Sequence, residues 1–333
     1  MGHKVAIIIP AYNEEQTIKN VVHAFAEQDP DFEVYVIDNN SSDRTRKLAE
    51  EAIRECGNHG QVLSEPRQGK ALAIRKAFSN VEADVYVMVD ADMTYPAEEV
   101  HKLIKPVLDG MADMVVGDRL TQGDYAKENK RAFHEGGNNL VKWIIGRLYG
   151  CPLRDILSGY RAFSHRFIKT YPVLCEGFEL EADLTLHALD KRMALVEVPI
   201  EYKDRPDGSE SKLNTIQDGV HILTLIFNIF RHYKPFQFFG TVAFGCVVAG
   251  LVFGSVPVMD YFKFQYVYHV PLAILAATMM ILSILFTSIA LVLDSIAKNH
   301  KFNFELKLLS FCNSKSSLKP ELKVTSKTRS LAA

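Results

Sequence analysis

The sequence predicts an α/β domain on a largely parallel sheet, followed by a pair of membrane-crossing helices. Two observations predict this. From Val5 to about Pro199, short apolar runs alternate with stretches of helical periodicity. Beyond them, Phe236–Met259 and Val270–Leu293 each hold more than 20 residues without Lys, Arg or Glu.

The elements follow in order. Val5–Ile9 is an apolar run closed by Pro10, the first strand. Glu14–Glu27 has helical spacing at Ile18, Val21, Val22 and Phe25. Val34–Ile37 is a second strand ending at Asp38. Ser42 or Asp43 can cap the helix that runs to about Glu55. Val62–Ser64 is a short strand, Gly69–Ser79 a helix, Val85–Val89 a strand and Asp113–Gly117 another. The region 129–202 reads as helices plus a final strand, Leu195–Ile200.

The polar loop Lys203–Lys212 leads into Asn214–Tyr233, an amphipathic stretch suited to a membrane surface. About 20 apolar residues span a bilayer core of roughly 30 Å, so both apolar segments are long enough. Arg231, His232 and Lys234 precede the first; Lys298, His300 and Lys301 follow the second. The positive-inside rule then predicts cytoplasmic flanks and a cytoplasmic catalytic domain. The boundaries read as 1–212, catalytic domain; 213–235, juxtamembrane helix; 236–293, hairpin; 294–333, cytoplasmic tail, its Ser- and Lys-rich end from Asn313 disordered. Gly240, Gly245, Gly250 and Gly254 in the first span permit close helix packing.

Net charge is −2, which gives no electrostatic case for nucleic acid. The five cysteines form no C-x-x-C pair, against a disulfide framework or zinc site. The chemistry gathers instead at strand ends. Asp90-Ala91-Asp92 ends the run Val85–Val89. Two carboxylates so placed can share one hard cation that keeps water and substrate phosphate as its other ligands. Asp38 and Asn13 also follow strands, and open parallel sheets bind ligands beyond the carboxyl ends of their strands.

Four motifs in this order carry a family resemblance: Pro10-Ala11-Tyr12-Asn13-Glu14-Glu15, Asp38-Asn39-Asn40-Ser41-Ser42-Asp43-Arg44-Thr45, Gly69-Lys70 and Asp90-Ala91-Asp92. They resemble family 2 glycosyltransferases of the GT-A fold. Gly117-Asp118-Arg119, Asp155, Ser158-Gly159-Tyr160-Arg161, Gly177-Phe178-Glu179 and Gly208–Leu213 are similar to the dolichol-phosphate mannose synthase-like branch, the polyprenyl-phosphate glycosyltransferases. The resemblance extends to about Leu293.

It implies a GT-A domain with a Rossmann-like, mostly parallel sheet, interfacial helices and two transmembrane helices. It implies inverting transfer of a hexose from a nucleotide sugar to polyprenyl phosphate for glycan assembly. Pro10, Tyr12, Asn13, Glu14, Asp38, Gly69, Lys70, Asp90, Arg205 and Lys212 would bind the donor. Asp90 and Asp92 would hold Mg²⁺ or Mn²⁺. Arg119 and Arg131, assisted by Asn138, would hold the acceptor phosphate. Any assisting carboxylate would be Asp155 or Glu179, either of which could instead partner Arg161. The resemblance also implies a bacterial inner-membrane protein and a homo-oligomer, a tetramer in some members.

Two departures bear on specificity. Mannose synthases usually carry a Gln-His/Asp-Pro type sequence after the D-x-D; here Met93-Thr94-Tyr95-Pro96 follows. This favours UDP-glucose or UDP-N-acetylglucosamine over GDP-mannose. His134-Glu135 stand where many relatives have a Ser. The alternatives are a GDP-mannose-dependent mannose synthase and a non-catalytic scaffold or flippase subunit. A processive polysaccharide synthase is disfavoured: there is no Gln-x-x-Arg-Trp motif.

Overall fold

The computed structural model describes residues 3–121, 142–151, 153–175, 180–203 and 234–317. The chain divides into two compact units, Met1–Lys234 and Pro235–Ala333.

The first unit is built on a seven-stranded sheet: β1 (Val5–Ala11), β2 (Phe32–Asp38), β3 (Val62–Ser64), β4 (Val85–Met88), β5 (Met114–Asp118), β6 (Arg161–Ser164) and β7 (Leu195–Pro199), in the order β3-β2-β1-β4-β6-β5-β7. All pairings are parallel except those of β6, which runs antiparallel between β4 and β5. β1 is buried along nearly its whole length because both sheet faces are covered. Ile7, Val34 and Val87 pack in one core with Val21, Val22 and Phe25 of α1 (Ile18–Ala26), Ala52 and Ile53 of α2 (Thr45–Glu55), and Leu103 and Ile104 of α4 (Val100–Leu108). From α3 (Lys70–Asn80), Phe78 sets its ring edge against Tyr86 and Phe163. The helical segment 142–149, α5, precedes α6 (His165–Thr170) and α7 (Leu180–Asp190).

Four readings of the sequence are corrected. Pro10 does not end the first strand, which continues to Ala11; Pro10 lies past Ile8–Met88, the last β1–β4 rung, where its missing N–H costs no bond on that side. β6 was not anticipated; it is four residues long and opens on a charged residue. The cap position of α2 is Arg44, not Ser42 or Asp43. Asp43 still satisfies a donor at the helix start: it accepts from the N–H groups of Thr45, the first residue of α2 (2.9 Å), and of Glu15 (3.2 Å), tying α2 to the loop after β1. Asn313 to Ser317 are the end of a helix, where disorder was expected; the rest of the expected disordered tail, 318–333, lies outside the described residues.

The second unit holds α8 (Pro235–Phe264) and α9 (Val270–Ser317), both long and apolar enough to cross a membrane. Their apolar windows are only 17% and 11% buried, unlike the core helices of a soluble protein. Gly250 and Gly254 let α9 approach: a Cβ on Gly250 would lie 3.0 Å from Met280 Sδ, and one on Gly254 3.4 Å from Ala276 Cβ.

Candidate active site

The chain runs β1 to β2 to β3 in one direction and returns to β4 on the other side of β1. This reversal opens a crevice beyond the strand ends, the usual ligand position in such sheets. The Thr17 hydroxyl donates to the Ala91 carbonyl at 2.6 Å, fixing the loop after β1 to the loop after β4.

On the β2 side, Asp38 is buried and accepts from Ser41 N–H at 3.2 Å. Asn13 has φ 52°, a left-handed conformation that asparagine tolerates. Its side-chain oxygen accepts from Ser42 N–H (2.8 Å) and its N–H donates to the Ser41 hydroxyl (3.1 Å). Asn13 therefore helps build the loop at the end of β1. Glu14 N–H donates to the Thr45 hydroxyl at 2.8 Å. Tyr12 and Pro10 stand at the same edge, at the end of β1.

A residue not anticipated, Asn39, sets the next loop. Its amide donates to the carbonyls of Arg67 (2.7 Å) and Glu65 (3.3 Å) and accepts from Gly69 N–H at 2.7 Å. Gly69 takes φ 146°, which a side chain would resist, and the chain enters α3 with Lys70 as its first residue.

Lys70 then reaches the acidic pair. Its ammonium lies 2.5 Å from Asp90 Oδ1 and 2.7 Å from Glu181 Oε1, on the first turn of α7. Burial works against the charged form, but the two carboxylates outweigh it and hold the Lys70 pKa above the ordinary lysine value. Glu181 was not anticipated; the sequence pointed to Glu179. Behind Asp90, Gly159 leaves room that a methyl group would fill, 2.5 Å from Oδ2. Asp92 Oδ1 accepts from the Thr94 hydroxyl (2.6 Å) and N–H (3.2 Å), and Met93 between them has φ 61°.

At the end of β5, Arg119 grips Asp155 with two parallel bonds, 2.7 Å from Nε and 3.0 Å from Nη2. Its guanidinium also faces Tyr95 Oη at 3.4 Å and lies 5.5 Å from the Tyr202 ring centroid. Tyr95 Oη accepts from Gly159 N–H at 2.9 Å, and burial holds its pKa above the ordinary phenol value, so it stays neutral. Thr94 and Tyr95 of the tetrad after the D-x-D thus brace the loop beside Asp92 and Arg119. Asp155 is fully buried and partners Arg119, not Arg161; it orients a cation instead of meeting a reactant. Arg161 donates to the carbonyls of Ser158 (2.8 Å) and Ile156 (2.5 Å) and to the Thr185 hydroxyl (2.9 Å). Burial lowers its pKa to about 10, still protonated at neutral pH. Next along the chain, Leu120 and Thr121 border an open surface depression of about 810 Å³ lined also by Lys142, Trp143, Arg147 and Arg154.

Arg131, Asn138, Glu179, Arg205, Lys212 and the juxtamembrane stretch lie outside the described residues. Among the described residues no group of three or more His, Cys, Asp and Glu could hold a metal ion. The two oxygen donors of Asp90 and Asp92 fit a hard cation that keeps water and phosphate ligands, not a fully protein-caged metal.

Comparison with known proteins agrees with this fold. Residues 6–171 match the family model described as glycosyl transferase family 2. Glycosyltransferase AglJ of Haloferax volcanii is 33% identical over 249 residues, 74% of this chain and 78% of that protein. The dolichyl-phosphate hexose transferase of the same organism is 30% identical over 219 residues, 66% of this chain and 90% of that protein. Glucosyl-3-phosphoglycerate synthase from Mycobacterium tuberculosis, solved with Mn²⁺, UDP and phosphoglyceric acid, superposes with a TM-score of 0.54 at 21% identity, covering 69% of this chain and 78% of that one. That likeness shows the fold alone.

Proposed function

The chain belongs to glycosyltransferase family 2, and from that premise we propose that it transfers a hexose from a nucleotide sugar to a polyprenyl phosphate with inversion at the anomeric carbon. One observation carries this reading. Asp90, the first carboxylate of the D-x-D, packs against Gly159, whose N–H bonds Tyr95 Oη, and Tyr95 Oη faces the Asp155-oriented guanidinium of Arg119. One end suits a diphosphate with its cation, the other an incoming phosphate.

A divalent cation held by Asp90 and Asp92, Mg²⁺ or Mn²⁺, supplies positive charge to the leaving diphosphate when bound. The rest falls to the chain. Asp38, Tyr12 and Glu14 border the crevice where the nucleoside sits. Lys70 offers an ammonium to the diphosphate. Arg119, fixed by Asp155, presents a planar donor to the acceptor phosphate. A phosphate oxygen forms the new bond to the anomeric carbon as the bond to the nucleoside diphosphate breaks. That oxygen is already anionic at neutral pH, so no proton need be removed. Catalysis is then positioning and charge stabilisation, and no carboxylate base is required.

The long apolar helices α8 and α9 support a membrane location, with the basic flanks and the catalytic unit on the cytoplasmic side of a bacterial inner membrane. Dolichyl- and undecaprenyl-phosphate transferases among the relatives support the lipid acceptor. We assign UDP-glucose or UDP-N-acetylglucosamine as donor because Met93–Pro96 departs from the mannose-synthase sequence. Self-association in the bilayer, as a tetramer, belongs to the same reading.

The test incubates detergent-purified protein with Mn²⁺ or Mg²⁺, undecaprenyl phosphate and a panel of UDP- and GDP-sugars. Lipid-dependent release of nucleoside diphosphate with a UDP-hexose, absent in Asp92→Ala, is the expected result. Release with GDP-mannose alone would reassign the donor; folded protein silent with every donor would favour a scaffold.

A further inference from the structure

Lys70, Asp90 and Glu181 come from three separate segments: the first turn of α3, the loop after β4 and the first turn of α7. Lys70 and Glu181 are 111 residues apart, and their side chains meet at 2.7 Å. The Asp90 carboxylate is held between two walls. Lys70 covers Oδ1 at 2.5 Å, and the backbone at Gly159 stands behind Oδ2 so closely that a Cβ there would lie 2.5 Å away. With no Cβ at Gly159, the Asp90 carboxylate can sit facing the ammonium while 28% of its side chain stays exposed and open to a cation.

A divalent cation that claims Asp90 must compete with an ammonium already on it. An ammonium pushed out of a half-closed site with no remaining partner would be costly, since desolvated charges need compensation. The Glu181 side chain, 9% exposed, removes that cost: Lys70 can surrender Asp90 and keep Glu181. The remaining donors of Lys70 can then turn to an incoming diphosphate, whose negative charge favours both the cation and the ammonium.

We propose that Lys70 is a resident cation that holds Asp90 in the donor-free protein, and that Glu181 is a positioning residue that retains Lys70 when a divalent cation takes Asp90. The inference rests on the metal-dependent transferase reading above. It couples the two ligands: the cation alone binds weakly, and the nucleotide diphosphate makes the exchange favourable. Glu181 acts through Lys70 and touches no reacting atom.

The test measures Mn²⁺ affinity of the full-length protein in detergent by electron paramagnetic resonance of the free ion, with and without UDP. No sugar donor or lipid acceptor is present, so turnover plays no part. Wild type, K70Q, E181Q and K70Q/E181Q are compared. Wild type should bind Mn²⁺ weakly alone and at least tenfold more tightly with UDP. K70Q should tighten Mn²⁺ binding alone by roughly tenfold, the scale of one nearby charge, and lose most of the UDP enhancement. E181Q should weaken Mn²⁺ binding about fivefold beside Lys70 and much less in the K70Q background, a non-additivity that contact through Lys70 requires. Unchanged or weaker Mn²⁺ binding in K70Q, or equal effects of E181Q in both backgrounds, overturns the proposal while leaving the transferase reading in place. A wild type that binds no Mn²⁺ with or without UDP overturns both. If K70Q does not fold by circular dichroism, E181Q and E181D decide: E181D should recover the Mn²⁺ affinity that E181Q loses, and an E181Q with wild-type affinity sinks the idea.

Discussion

The guanidinium of Arg119 lies flat against the fully buried carboxylate of Asp155, joined by bonds of 2.7 and 3.0 Å, with a third from Arg119 N–H to the same carboxylate at 3.2 Å. Asp155 is itself anchored, its N–H donating to Glu197 Oε1 at 2.9 Å. The pair fixes the cation assigned to the acceptor phosphate. Removing one partner of a buried pair leaves the other uncompensated, typically at about 3 kcal/mol or more. Asp155→Asn should lower the thermal midpoint and raise the KM for polyprenyl phosphate more than the KM for the donor. Arg119→Lys, which cannot form the fork, should share the kinetic defect with a smaller loss of stability. Equal changes in both KM values would remove Arg119 from acceptor binding.

Gly159 bears on the other end of the site. Its backbone does not adopt the left-handed region, so alanine is conformationally allowed there. The obstacle is contact: the new methyl would meet Asp90 Oδ2 at 2.5 Å and Cγ at 3.1 Å. Gly159→Ala should keep the fold and push Asp90 out of place. A displacement of about 1 Å can cost on the order of 100-fold in rate. Normal circular dichroism with a rate loss of that order is expected; near-wild-type turnover would show that Asp90 position is not critical.

These two relationships also show which parts of the site the sequence disclosed. Asp38 and Asp90 of the candidate site were legible because each follows a continuous apolar run, and strand ends converge in a parallel sheet; Arg119 was legible only through the family resemblance. β6 was not legible: Arg-Ala-Phe-Ser carries no alternation, and its buried Arg161 is accommodated by carbonyls, a hydroxyl and the Met114 sulfur that the folded chain brings to it. Gly177–Leu186 offered two glutamates, and only the start of α7 brings Glu181 to Lys70. Tyr95 and Gly159 meet across 64 residues, a pairing with no local signature. The structural part of Asn13 had no local signature either: its side-chain oxygen accepts from Ser42 N–H, in the loop after β2.

His187 makes the catalytic unit acid-sensitive. It sits on α7 with ring centroids 5.6 Å from Phe167 and 5.0 Å from Tyr171. Burial, with Lys191 adding to it, lowers its pKa to about 4. The unfolded chain takes up this proton near pH 6.5 and the folded one only near 4, so the unfolded state binds more protons between them. Stability is therefore full above pH 6.5 and falls as pH drops toward 4, by about 2 kcal/mol at pH 5 from this residue. His187→Phe should flatten that part of the profile in urea titrations followed by near-ultraviolet circular dichroism. An unchanged slope between pH 7 and 5 would mean that His187 is not buried neutral.

The glycines of α8 divide into two sets, and that division can be tested. Gly250 and Gly254 face α9, where a Cβ on Gly250 would meet Met280 Sδ at 3.0 Å and the Ala276 carbonyl at 3.3 Å. Gly240 and Gly245 have nothing within 4 Å of a built Cβ. Close approach of helices in an apolar medium depends on such small residues, because no hydrophobic gain drives helices together in lipid. Gly250→Leu should therefore separate α8 from α9, and a drop of several degrees in the detergent thermal midpoint is expected. A Cβ on Gly240 or Gly245 would meet no described residue, so Gly240→Leu and Gly245→Leu should leave the α8–α9 packing intact. Crosslinking in native membranes distinguishes the cases: loss of oligomer in Gly240→Leu or Gly245→Leu at unchanged hairpin stability assigns that face to self-association, and retention of oligomer in both removes it from the interface.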